Sequence, residues 1–191
     1  MSDSSNKVWE MPGRGELSKE QAEVWVYNGE PYQRPAENQH KRLSPVDVLR
    51  WMGCNSLVRF YKWKNPPQEY YSRAELQPFL CWEIMDDTGG VIKQSGRHRI
   101  NFQSGKCYSY EFSYVFFNNV EKKEKHDVAH LCGNPKCWNP GHLCYEPSSI
   151  NRSKERDVCT GYVWNIDTEK LMMGCEHEPK CMHLRPVNNV S

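Results

Sequence analysis

Cys132, Cys137 and His142 place two thiolates and an imidazole at loop spacing, Cys-x4-Cys-x4-His. Such a set needs one more donor to close a tetrahedron around zinc. Cys81 or Cys107 upstream, or Cys144 downstream, can supply it. Cys144 belongs to the alternating stretch His142-Leu143-Cys144-Tyr145, which points its side chain with that of His142. His130 stands just outside the set, so a histidine beside a metal-stapled loop is free to act as a base. A second cluster, Cys159…Cys175-x-His177-x3-Cys181, holds four more potential ligands, with His183 as a spare. Both clusters suit closed structural sites, in which no position is open to substrate.

The elements that must position these residues belong to a polar chain of 191 residues, 38% hydrophobic, with no apolar run long enough to span a bilayer. Its length suits one domain, or one domain with an N-terminal extension. No apolar targeting segment stands out in the first twenty residues. Nine cysteines grouped among histidines fit metal binding better than a disulfide framework, which implies a reducing compartment, nuclear or cytoplasmic. Net charge is +1, so any contact with phosphate must come from local basic groups. Arg97-His98-Arg99 and Lys62-Trp63-Lys64 are the candidates, whereas Lys122, Lys123 and Lys125 alternate with glutamates as in a solvated turn.

Residues 1–44 are polar and rich in Gly and Pro, with one short helical pattern over Ser18–Tyr27, capped by Ser18 with Gln21 reciprocating. Ser44-Pro45 opens a second helix, Val46 to Met52, closed by Gly53. These pieces are expected to pack around Trp25, Leu49, Trp51 and Met52. Leu57–Lys64 reads as a strand ended by Asn65-Pro66-Pro67, and Ser72 to Leu80 as a helix leading to Cys81-Trp82-Glu83-Ile84. Between Val91 and Phe117 the pattern is strand-rich, with segments Val91–Gln94, Arg99–Gln103 and Tyr108–Phe117 between Gly turns. Polar residues interrupt its apolar positions, as in an antiparallel sheet with one buried face and one face able to meet base edges. Lys93, Gln94, Arg97, Arg99, Asn101 and Gln103 would line that face; a merely solvated face is the alternative.

Residues 130–151, from His-Leu-Cys through Cys-Trp-Asn-Pro-Gly-His-Leu-Cys to Asn151, resemble the core motif of the His-Cys box homing endonucleases, a family of ββα-metal (His-Me finger) nucleases. Cys159, Cys175, His177 and Cys181 resemble the family's second zinc site, with a longer insertion after the first cysteine. Cys81-x-Glu83-Ile84 resembles its remote first ligand of zinc one. The resemblance spans about residues 79–183.

The resemblance implies an α+β fold with a zinc-stabilised ββα-metal core and an antiparallel DNA-binding sheet, to which the helical patterns before it add an N-terminal helical extension. The resemblance leaves residues 1–75 unmatched, an extension of unknown role, ahead of residues 76–191, the nuclease domain it implies. Two structural Zn2+ would be held by Cys81, Cys132, Cys137 and His142, and by Cys159, Cys175, His177 and Cys181. His130 would activate water against a DNA phosphodiester, and Asn151 would hold one catalytic Mg2+. Ser148 is a suitable cap for the helix carrying Asn151, which then points back toward His130, and a carboxamide oxygen is a hard ligand suited to Mg2+. Arg97, or else Arg99, would sit at the scissile phosphate. Double-stranded DNA is the implied partner, cut by a homodimer on a pseudo-palindromic target or nicked by a monomer. Dimerisation in the family draws partly on a C-terminal tail, and only Met182 to Ser191 follow the last ligand here. The competing class is a non-catalytic zinc-braced DNA-binding module; an RNA- or protein-binding zinc domain has no specific support.

Overall fold

A computed structural model describes residues 45–85, 97–102, 105–121, 123–153 and 155–188. The helical pattern at 18–27 and Trp25, the segment 91–94 with Lys93 and Gln94, and Gln103 lie outside the described residues, as does the side chain of Asn101.

The chain runs through α1 (Pro45–Cys54), β1 (Ser56–Phe60), β2 (Leu80–Ile84), β3 (Arg99–Phe102), β4 (Gly105–Tyr108), α2 (Ser109–Asn118), β5 (His126–His130), β6 (Leu143–Pro147), α3 (Ser148–Ser153), β7 (Tyr162–Asn165), β8 (Lys170–Met173) and β9 (Leu184–Val187). The class is α+β, with small sheets and few helices. β1 pairs with β2, β3 with β4 and β5 with β6, all antiparallel. β7 is flanked by antiparallel β8 and parallel β9. No helix among the described residues is long and apolar enough to cross a membrane.

The main core gathers Val48, Leu49 and Met52 from α1, Trp82 and Ile84 from β2, Ile100 from β3, Tyr110 from α2, Val128 from β5, and Trp138 and Leu143 beside them. A second core joins Phe60, Tyr70, Leu76, Phe79 and Leu80 to Trp164. Residues 45–75 thus contribute to both cores, and the boundary expected at 75 falls on the connection between two paired strands.

Trp138 is the node of the main core. Its ring is fully buried and stands edge-on to Trp82, with centroids 4.8 Å apart. Its indole N–H donates to Ser56 Oγ at 2.8 Å, and Ser56 in turn donates to the Met52 carbonyl at 2.6 Å. Its backbone N–H reaches the Trp82 carbonyl, and its carbonyl accepts from Ser113 Oγ of α2 at 2.7 Å. The polar atoms of the ring and its peptide are thereby satisfied where burial would otherwise penalise them.

Four expected elements differ. Tyr108–Phe117 is not a strand: after Tyr108 closes β4, the chain turns helical. Tyr110, Ser113, Tyr114 and Phe117 recur at helical spacing against the core, and the Tyr108 N–H is received by Glu111. The sheet expected over 91–117 is, among the described residues, the β3–β4 hairpin. Ser72–Leu80 forms no α-helix but two 3-10 turns, Gln68–Ser72 and Gln77–Phe79, because Pro78 cannot donate into a helical ladder. The strand expected to reach Lys64 stops at Phe60, where Lys62 and Asn65 take positive φ and fold Trp63 back onto Phe60 and Tyr70. The first described helix runs through Gly53 to Cys54.

Replacing Trp138 by Ala should destabilise the fold by about 3–5 kcal/mol, as expected for a fully buried large ring. Urea unfolding followed by circular dichroism measures this, and Trp138→Phe should recover part of the loss.

Candidate active site and metal centres

The first ligand set assembles from three places in the chain. Cys81 stands on β2, Cys132 and Cys137 on the loop after β5, and His142 on the 3-10 turn Pro140–His142 that leads into β6. Their ligand atoms all lie within 4.8 Å of one another, and all four residues are buried. Cys81, and neither Cys107 nor Cys144, is therefore the fourth member; Cys144 packs instead with Ala129 and Leu131. His142 Nδ1 lies 3.6 Å from Cys81 Sγ and 3.4 Å from Cys137 Sγ, while its Nε2 is held by the Pro78 carbonyl at 2.6 Å. The outer hydrogen bond orients the ring and leaves Nδ1 for a metal. Burial pushes the three thiols well above their usual range, a penalty that a bound dication reverses by favouring thiolate.

Buried Glu83 braces this loop from behind. It receives Arg59 at 2.8–2.9 Å and the Asn134 amide at 2.6 Å, and its own residue bridges to Cys137. Asn134 Oδ1 in turn accepts from the Lys136 N–H.

The second set, Cys159, Cys175, His177 and Cys181, meets the same distance criterion. His177 Nδ1 lies 3.3 Å from Cys175 Sγ and 3.5 Å from Cys181 Sγ. Burial acts to raise the Cys175 thiol, but the Cys181 N–H and the Cys159 and His177 groups outweigh it and lower its pKa. The spare, His183, is outside both sets. It lies against Gly133 and Gly161, both at φ +65°, where an added Cβ would come within 2.9 Å of its ring and 2.5 Å of its carbonyl. It serves as a wedge between the two metal loops, and only glycine fits beside it.

Between β5, β6 and α3 lies a cleft of about 690 Å3. His130, Asn151 and Arg97 line it, together with Tyr110, Asp127, Glu146 and Arg156, which sequence reasoning had not singled out. Arg99 is not among its lining residues: it is exposed on β3, donating to the Tyr108 hydroxyl at 3.0 Å. Arg97 lies over the rings of Tyr108 and Tyr110, 5.7 and 5.8 Å from their centroids. His98, between the two arginines, turns inward against Trp51.

His130 ends β5, and its Nε2 lies 3.1 Å from the Cys137 carbonyl. A carbonyl can only accept, so Nε2 carries the proton and Nδ1 keeps the lone pair. Burial, with Arg97 and His142 nearby, holds its pKa down at about 4, so the ring is neutral at neutral pH. The Tyr110 ring packs on the imidazole, centroids 4.5 Å apart. Asn151, fourth residue of α3, places its carboxamide 3.4 Å from an Asp127 carboxylate oxygen. Arg156 closes the far side: it is ion-paired with buried Glu146 and donates to the Pro179 carbonyl at 2.7 Å and to Cys181 Sγ at 3.4 Å. It thus joins the cleft wall to the second metal set.

Zinc analysis should find two tightly bound ions per chain. Cys132→Ser and Cys175→Ser should each remove one and melt the surrounding loop, because zinc binding free energy is folding free energy in such sites. Metal analysis with amide hydrogen exchange reads both; a single variant that released both ions would refute two independent centres.

The model describing the zinc-binding loop region of homing endonucleases matches residues 81–191, more than half of the chain. No curated protein and no solved structure is detectably similar to it. The matched span begins at Cys81, the remote member of the first set, and takes in every residue of both sets and His130. The chain therefore belongs to the family of homing-endonuclease zinc-binding loop domains.

Proposed function

We propose that this protein is a metal-dependent DNA endonuclease that hydrolyses phosphodiester bonds, with His130 as general base. The observation that carries the reading is the pose of His130: neutral, fixed through Nε2 by the Cys137 carbonyl, its ring on the wall of a cleft that also holds Asn151 and Arg97. A neutral, tautomer-fixed imidazole lining a cleft with a carboxamide and an arginine is suited to accept a proton.

His130 Nδ1 takes a proton from a water molecule as that water attacks phosphorus. Tyr110 on one side and the Cys137 carbonyl on the other limit the ring to one orientation. Arg97 supplies charge-assisted hydrogen bonds to the phosphate being cut. Arg99, held by Tyr108 outside the cleft, is suited to a neighbouring backbone phosphate, and Lys93, Gln94, Asn101 and Gln103 to contacts along the duplex. The hard oxygen donors of the cleft fit Mg2+, with Asn151 as ligand. When bound, the ion would stabilise negative charge on a non-bridging oxygen and on the departing 3′ oxygen. Two copies acting on a pseudo-palindromic site would break both strands.

Purified protein incubated with supercoiled plasmid tests the reading. Cutting should require Mg2+, and His130→Ala should lower its rate by about 10²-fold or more while the shift of DNA in a gel persists. Undiminished cutting by His130→Ala would sink the base assignment, and a gel shift without cutting by the wild type would make the chain a binding module instead. Asn151→Ala should abolish the Mg2+ dependence along with the activity.

A further inference from the structure

Among the described residues three carboxylates line the cleft, and two have structural duties. Glu146 is ion-paired with Arg156, and Glu111 receives the backbone N–H that opens α2. Asp127 is different. It stands on β5, the strand that ends in His130, and among the described residues its hydrogen-bond partner is Asn151, whose Nδ2 lies 3.4 Å from Oδ2.

That contact is long for a hydrogen bond, and it joins a carboxamide and a carboxylate that line the same cleft as His130. The two ends of a carboxamide exchange places by rotation about one bond with almost no change in shape. With the oxygen turned toward Asp127, two hard donors face one point. Adjacent oxygens on an octahedral Mg2+ sit about 3 Å apart, given metal–oxygen bonds of about 2.1 Å, so the observed separation needs only a small closure. A carboxamide alone brings no charge to a dication. A site of one carboxylate plus one neutral oxygen, completed by water and substrate phosphate, is the usual protein share of Mg2+ ligation.

We infer that Asp127 and Asn151 together hold a single hard divalent cation, with Asp127 as its charged ligand. The inference rests on the nuclease reading for what the ion does, but not for its binding. The competing role for Asp127 is to anchor the Asn151 side chain. Asp127→Asn separates the two, because an asparagine at 127 can still accept from the Asn151 amide while the charge is gone.

The test is a Mn2+ titration of the zinc-loaded protein, followed by electron paramagnetic resonance, with zinc content and thermal melting measured on each variant. The wild type should bind one Mn2+ beyond its zincs, and Asp127→Asn and Asn151→Ala should each weaken that binding by at least about tenfold. In the wild type, Mn2+ should also broaden the NMR signals of Asp127 and Asn151 before those of α1, a measurement that does not depend on any variant folding. Wild-type binding by Asp127→Asn, no Mn2+ site beyond the zincs, or broadening centred elsewhere would each overturn the inference. If plasmid is cut in a His130-dependent way while Asp127→Asn binds Mn2+ normally, this inference fails and the nuclease reading survives. If plasmid is never cut but Asp127→Asn loses Mn2+, the reverse holds.

Discussion

The meeting of Cys81 with Cys132, Cys137 and His142 is the constraint from which the rest of the body follows. Cys81 belongs to a strand of the first antiparallel pair, whereas the other three belong to the loop between β5 and β6. Joining them closes a long stretch of chain, an entropic cost that a polar sequence with two modest cores has little apolar burial to offset. Once closed, the loop presents Trp138 to the main core, where its indole N–H holds Ser56 of β1, its backbone N–H holds Trp82 of β2 and its carbonyl accepts from Ser113 of α2. Packing and metal ligation are here two parts of one event.

The second set extends the same logic toward the cleft. The Met182 N–H donates to the Leu131 carbonyl and its side chain packs against Cys81, Cys132 and Cys137 of the first set, while His183 lies against Gly133 and Gly161. Arg156 then spans from Cys181 to Glu146 on β6. The cleft is thus walled by short elements, none of which has enough apolar surface to be rigid alone. Their rigidity is borrowed from the two ligand sets on either side.

The site was more legible in the sequence than the fold. Thiolates and imidazoles at loop spacing carry a signal that survives without knowing any helix or strand, and both four-residue sets assembled as the spacing and the resemblance implied. The segment 109–118 was misread because its aromatic and β-branched residues favour strands by composition; its helix is settled by which of them the core accepts, a tertiary matter. Residues 72–80 failed for a local reason that was visible, the proline at 78. Asp127 and Tyr110 carried no signal at all. An acid on a strand and a tyrosine on a helix are ordinary alone, and only the packing of α2 and α3 against β5 brings them beside His130 and Asn151.

Cys137 contributes to both halves of the molecule through different atoms. Its sulfur joins the first ligand set, and its carbonyl oxygen holds the proton-bearing nitrogen of His130. The side chain can be changed by mutation; the carbonyl cannot, since every amino acid has one. The tautomer of His130 is therefore held by loop shape and not by the identity of the residue at 137. Changes around His130 that leave the loop's path intact leave this acceptor in place beneath its Nε2.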